Sequence, residues 1–279
     1  MIRHAIAAMA LMIGASGEAA TGESEFARAM IERLRGAERE TEMRISASDP
    51  LVIEMKLDGK WGDAEINLHR LHAFCEEASA EDCDAVLANF VARATAEPPE
   101  TVAANLRLVV RQQDYLDRLR DMQPADAQPI YRQIGDDLYT LLAFAGPSGV
   151  LMAIPEHLAA LSLDEQAAWR LASEQTRGML PRLPRPIDIV RSHVTFEDGD
   201  LLTSLLADPE AWRGIADEVG PDLAVVATSD LFVFVGALPA GYGRMREFKR
   251  AVREDCATAQ RCISPNVYRF RDGRWVIAE

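Results

Sequence analysis

The residues best suited to recognition chemistry lie towards the C-terminal end. Gly241-Tyr242-Gly243 leads into a stretch carrying Arg244, Arg246, Lys249, Arg250 and Arg253. Glycines ahead of a helix let backbone amides approach an anion, and nearby arginines add charge-assisted donors. This is the densest basic patch in the chain, and it points to a small anionic ligand or an acidic protein partner. A second constellation is His69, His72 and Cys75, spaced i, i+3 and i+6 with Glu76 beside them, on a predicted helix start. That set suits a transition metal only if Cys75 is free as a thiolate. A polar helix face is the simpler reading, so no metal or other cofactor is expected.

The remaining candidates are weaker. Gly146-Pro147-Ser148-Gly149 lacks the Gly-x-Ser-x-Gly spacing of a nucleophile elbow, and a proline before the serine suits a turn. Glu197, Asp198 and Asp200 cluster in an acidic turn without the oxygen spacing of a calcium loop. Asp136 and Asp137 adjoin, while His157 and His193 stand alone. No Walker motif or dinucleotide fingerprint is present. The expectation is a non-enzymatic binding protein. The alternative is a hydrolase whose catalytic residues are scattered along the chain.

The four cysteines fall in two local pairs, Cys75 with Cys83 and Cys256 with Cys262. Four cysteines allow three connectivities, and local pairing, closing short polar loops, is the simplest. Neither pair has the C-x-x-C spacing of a zinc knuckle or redox motif. Disulfides persist in oxidising compartments, which agrees with the N-terminus. Residues 1–20 have the form of a secretory signal: Arg3 and His4, the apolar run Ala5–Ile13, then small residues with cleavage expected after Ala19 or Ala20. The run is too short to span a bilayer. The expected product is a soluble periplasmic or secreted protein with no membrane span in the mature chain.

Composition narrows the partner. The 279 residues carry 30 Lys+Arg against 44 Asp+Glu, a net charge of −14. Phosphate contacts need a basic face, so nucleic acid is an unfavourable partner. Only Lys56, Lys60 and Lys249 are lysines; the other basic residues are arginine. Hydrophobic residues make up 48% and charged residues 27%, ordinary for a folded chain.

The elements that must hold these residues read as an α+β fold, with mostly antiparallel strands, flanking helices and two sub-domains. The first spans 21–97: a helix over 25–39, two strands about Asp49-Pro50, a strand over 62–68, and helices over 69–96 broken between the first two cysteines. Leu71, Phe74, Val86, Leu87, Phe90 and Val91 form the expected buried stripe of those helices. Glu97-Pro98-Pro99-Glu100 is the boundary, and Pro181–Pro186 a second candidate. The region 101–279 has strands over 106–111 and 130–134, a hairpin about Gly146–Gly149, and a helix opened by Ser162 and Glu165 as a capping box. A strand over 188–196 follows, then helices over 201–206 and 209–219. Strands over 223–228 and 231–235, the basic helix over 243–259, and a hairpin about Asp272-Gly273 end the chain.

Much of this second region resembles the YtpQ-like bacterial family, a domain of unknown function (number 1444). The likeness rests on Asp136-Asp137-Leu138 through Met152, Leu161–Gln166 leading to Leu171-Ala172, Asp222–Ala227 with Asp230-Leu231-Phe232, and Ser264–Phe270 with Trp275. After Ala172 the family pattern expects Asn-Leu where this chain has Gln175-Thr176. The resemblance implies the α+β fold and carries no assigned chemistry.

Overall fold

In a computed structural model, the described residues are 15–37, 41–57, 60–125, 127–147, 149–197, 199–239, 241, 243, 245–258 and 262–279. The first fourteen residues of the expected signal lie outside them, as do Ser148, Asp198, Tyr242 and Arg244. The chain is α+β and divides into two compact units, Met1–Ala96 and Glu97–Glu279. The Pro181–Pro186 stretch therefore lies within the second unit. Among the described residues, no helix is long and apolar enough to cross a membrane.

The first unit opens with α1 (Ala15–Arg35). Its buried residues Ala27, Met30, Ile31 and Leu34 recur at i, i+3, i+4 and i+7, one face of a helix. An antiparallel meander follows, β1 (Met43–Ile45), β2 (Val52–Leu57) and β3 (Lys60–Asn67), in that spatial order. Asp49 turns the chain between β1 and β2, its carboxylate accepting from the Leu51 amide at 3.0 Å. Next come α2 (His69–Glu77) and α3 (Ala80–Thr95). Ser79 caps α3 by accepting from the Asp82 amide, and Cys75 and Cys83 join the two helices with Cα atoms 4.9 Å apart. Leu71 and Leu87 enter the core as expected, but Phe74 is exposed: α2 buries only one narrow face.

The second unit holds two sheets. In one, β4 (Leu106–Gln112) pairs one side of β6 (Leu138–Gly146), while β5 (Tyr131–Gln133) and β7 (Gly149–Met152) share the other. The second sheet has the order β12-β11-β9-β10-β8. Its strands are β8 (Val194–Glu197), β9 (Leu223–Ser229), β10 (Phe232–Ala237), β11 (Val267–Arg271) and β12 (Arg274–Ile277). Around them lie α4 (Gln113–Met122), α5 (Pro155–Ala160), α6 (Glu165–Met179), α7 (Pro186–Arg191), α8 (Pro209–Val219) and α9 (Met245–Thr258).

Two local expectations are corrected. Residues 188–196 are not one strand, because Pro186 at the first helical position favours a helical turn and β8 starts only at Val194. Helix α6 is capped by Asp164, whose carboxylate accepts from the Ala167 amide at 2.7 Å; Ser162 sits at φ 54° in the preceding turn.

The two sheets meet where Gly135 bridges Trp275. The Asp136 amide donates to the Trp275 carbonyl at 2.8 Å and the Trp275 amide to that of Ile134 at 2.9 Å. A Cβ at Gly135 would lie 2.5 Å from the Trp275 carbonyl oxygen, so only glycine permits this approach. A wholly buried 3-10 segment, Leu202–Leu206, also joins them. The Trp212 and Trp275 indoles donate to its Leu205 and Leu206 carbonyls, and the Ser204 hydroxyl donates to the Leu108 carbonyl of β4.

Candidate functional site

A cleft of about 510 Å³ opens in the second unit. Its floor is apolar, formed by Leu108, Ile134, Trp169, Ala207 and Pro209. Helix α6 contributes Gln166, Trp169, Arg170 and Ser173, spaced i, i+3, i+4 and i+7, so one helix face supplies them. Arg132 and Gln133 enter from β5, and Asp208 and Glu210 from the start of α8.

The charges differ in how far they are already engaged. Arg132 lies over the Trp169 ring, 4.2 Å from its centroid, with Glu165 at 3.8 Å. Trp169 is fixed in turn by its indole donating to Glu165 at 3.0 Å. Stacking orients the planar guanidinium, whose side chain remains about half exposed beside Glu165. Arg170 is exposed and makes no ion pair or hydrogen bond with a described residue. The carboxylates are occupied. Asp208 accepts from Arg177 at 3.0 Å and from the Ala211 amide, capping α8. Glu210 accepts from Arg213 through both oxygens, and that hydrogen bond and charge hold it below the usual carboxylate range. The cleft thus offers two accessible arginines over an apolar floor, a combination suited to an organic anion.

The residues singled out in the sequence lie elsewhere. On α9, Arg246, Arg250 and Arg253 are exposed, but Glu247, Glu254 and Asp255 interleave with them and Arg250 lies 3.6 Å from Glu254. Lys249 is turned inward, its Nζ donating to the Ala278 carbonyl at 2.6 Å, where it anchors the end of the chain. Arg244 lies outside the described residues, and the other four basic residues are absent from the cleft lining. Cys256 and Cys262 stand at disulfide distance, with Cα atoms 5.0 Å apart.

The histidine and cysteine set is divided by the first disulfide, which takes Cys75. His69 faces Asp49 and Asn67, and His72 packs edge-on against Phe26. Among the described residues no group of three or more His, Cys, Asp or Glu is placed to hold a metal ion. His157 packs on Phe144, and His193 stacks on Phe234. Glu197 and Asp200 are exposed.

Asp136 and Asp137 have structural partners. Asp136 accepts from Arg274 and from the Ile277 amide. Asp137 accepts from Gln112 at 2.7 Å, Asn266 at 2.9 Å and the Tyr268 hydroxyl at 2.8 Å. The Ser264 and Tyr268 hydroxyls are also hydrogen-bonded, 2.5 Å apart. Burial, with the Asp137 charge beside it, pushes the Tyr268 phenol far above its ordinary range. This network closes on itself where β6 and β11 begin.

Arg132, Trp169 and Arg170 were not among the residues singled out. The only sequence signal for them is an aromatic residue, Trp169, flanked by Gln166, Arg170 and Ser173 on the polar side of α6. Gln175 and Thr176, which depart from the YtpQ-like pattern, hold the outer edge of β4: the Gln175 side-chain oxygen accepts from Arg107 at 2.6 Å and the Thr176 hydroxyl from the Leu108 amide at 2.8 Å. Comparison with protein-family models, with curated proteins and with solved structures finds no match to this chain.

Proposed function

We propose that the protein is an exported, non-enzymatic binding protein whose second unit takes a small organic anion in the cleft beside α6. The observation that carries this reading is Arg132 stacked on Trp169 in the same cleft as Arg170, which has no ion partner among the described residues, over an apolar floor. A carboxylate reaching both arginines gains charge-assisted hydrogen bonds, while its apolar body lies on the floor about Ile134, Ala207 and Pro209. The cleft carboxylates are tied to Arg177 and Arg213, which reduces their repulsion of an incoming anion. Export is supported by the Ala5–Ile13 run with its basic start and by the two cysteine pairs. Cleavage after Ala19 or Ala20 keeps the buried residues Ala27, Met30, Ile31 and Leu34 of α1.

The test is titration of the full chain with benzoate and with N-acetyltryptophan, read by calorimetry. Binding is expected, and Arg132→Ala or Arg170→Ala should each weaken it by about tenfold or more, since a hydrogen bond to a charged group contributes about 1.5–3 kcal/mol. Arg246→Ala on α9 should leave it unchanged. Absence of binding, or equal affinity in the cleft variants, overturns the assignment. Mass measurement of the mature N-terminus tests export separately.

A further inference from the structure

A second surface of the same unit carries a different signature. Between the end of α6 and the end of α7, residues 177–191 include Arg177, Arg182, Arg185 and Arg191 against a single acid, Asp188. The whole chain has a net charge of −14, so this stretch runs against the charge of the molecule. All four arginines are exposed. Arg185 is held by Asp188 through two hydrogen bonds of 2.8 Å, and Arg177 by Asp208. Among the described residues Arg182 forms no ion pair, and Arg191 acts on Asp188 by charge alone, beyond ion-pair distance.

Three apolar side chains of the same stretch are exposed, and on α7 Ile187, Val190 and Arg191 share one helix face at i, i+3 and i+4. Met179 is 44% exposed, Ile187 46% and Val190 58%. Helix α7 sends Ile189 into the core and is anchored by the buried Pro184 ahead of it, so Ile187 and Val190 on its outer side add nothing to that core. Single exposed apolar residues need no explanation, whereas apolar residues grouped within a charged rim mark interaction surfaces. Arginine and methionine are also enriched in protein interfaces, where lysine is depleted. None of Met179, Arg182, Ile187, Val190 or Arg191 lines the cleft.

We infer that this arginine-rimmed apolar patch docks an acidic, leucine-bearing segment of a partner polypeptide. Charge complementarity selects that occupant. Arg182 and Arg191 attract carboxylates, and the apolar centre takes the partner's aliphatic side chains. A second copy seated symmetrically would place arginine against arginine, since a two-fold contact pairs a patch with itself. An anionic lipid surface would attract the patch but repel the rest of so acidic a chain.

The experiment uses the full chain and a short fluorescein-labelled peptide of Glu, Asp and Leu, with a Lys–Leu peptide of equal length as control, read by anisotropy. The acidic peptide is expected to bind more tightly than the basic one and to weaken as salt is raised. The Arg182→Glu/Arg191→Glu double variant should lose about tenfold in affinity. Val190→Asp should also bind more weakly. Val190→Asp, at an exposed position, should keep the parent's melting temperature, which separates lost docking from lost folding; the double variant also loses the attraction of Arg191 for Asp188, so its folding is checked by circular dichroism. Arg246→Glu/Arg250→Glu on α9 should bind like the parent. Three results overturn the inference: equal binding of the two peptides, acidic-peptide binding that survives the Arg182/Arg191 reversal, or phosphatidylglycerol-vesicle binding lost on that reversal without any peptide binding.

Discussion

Asp230→Ala gives the sharpest test of how the second unit is held together. Arg111 lies in β4 with only 2% of its surface exposed. Its Nη1 donates to the Asp230 carboxylate at 2.9 Å and to the Val110 carbonyl at 2.7 Å, while Nε and Nη2 have no hydrogen-bond partner among the described residues. Thr203, fully buried, donates to the same Asp230 oxygen at 3.0 Å. Removing Asp230 leaves a dehydrated guanidinium without its counter-charge, which costs about 3–5 kcal/mol. That is a large share of a typical domain stability of about 5–15 kcal/mol. The reverse change, Arg111→Met, should cost less. It leaves a carboxylate whose side chain is 16% exposed and still accepts from Thr203, and it removes two orphaned donors. Arg111→Met/Asp230→Asn should be close to neutral, because it removes both charges, and the desolvation cost with the attraction, while the amide oxygen still accepts from Thr203. Urea unfolding followed by tryptophan fluorescence reads this directly, since Trp212 and Trp275 pack edge-to-face at 5.2 Å in the core. The midpoint should fall in the order double variant, Arg111→Met, Asp230→Ala, at constant slope. An Asp230→Ala loss below about 1 kcal/mol, the range of exposed ion pairs, or one smaller than that of Arg111→Met, refutes the reasoning.

Thr176→Val removes the acceptor of the Leu108 amide and should cost about 1–3 kcal/mol in the same assay, because it strands a buried donor; Thr176→Ser should retain most of that stability. The Tyr268 phenol is raised in the folded state, so its protonated form favours folding. That contribution is complete below the unfolded tyrosine value of about 10 and is lost as pH rises above it, so alkaline unfolding should begin there and shift in Tyr268→Phe. Purified exported protein should show no alkylatable thiol before reduction. Cys75→Ser/Cys83→Ser should lower stability by about 2–3 kcal/mol, as expected for a short loop.

The order of elements was legible because the local signals were strong. The apolar spacing of Met30, Ile31 and Leu34, the Asp49-Pro50 turn, the Cys75–Cys83 break and the Asp272-Gly273 hairpin each act over a few residues. Where proline could be read two ways, the reading failed: Pro186 starts α7, yet the alternating residues after it suggested a strand. The cleft was not legible, because its lining comes from β4, β5, β6, α6, α8 and the β11–β12 turn, and no short window contains it. The basic stretch on α9 was conspicuous in sequence, but Lys249 is spent on the Ala278 carbonyl and acids interleave the rest.

The same tertiary logic explains why Leu202–Leu206 is a 3-10 segment. Every residue in it is buried, and its carbonyls must find donors without a regular ladder. Two indoles supply them, Trp212 to Leu205 and Trp275 to Leu206. Leu201 adopts φ 57° at its entry, a conformation uncommon for leucine, and the Leu202 amide then reaches the Asp230 carbonyl at 2.8 Å. Asp230 therefore holds the segment through its backbone and through Thr203, and holds β4 through Arg111. Ser204 closes the connection by donating to Leu108, the residue whose own amide is taken by Thr176 of α6. Leu108 lines the cleft floor, and α6 presents Trp169 and Arg170 to the same cleft. The polar contacts that join the sheets thus also set the spacing between the cleft floor and its arginines.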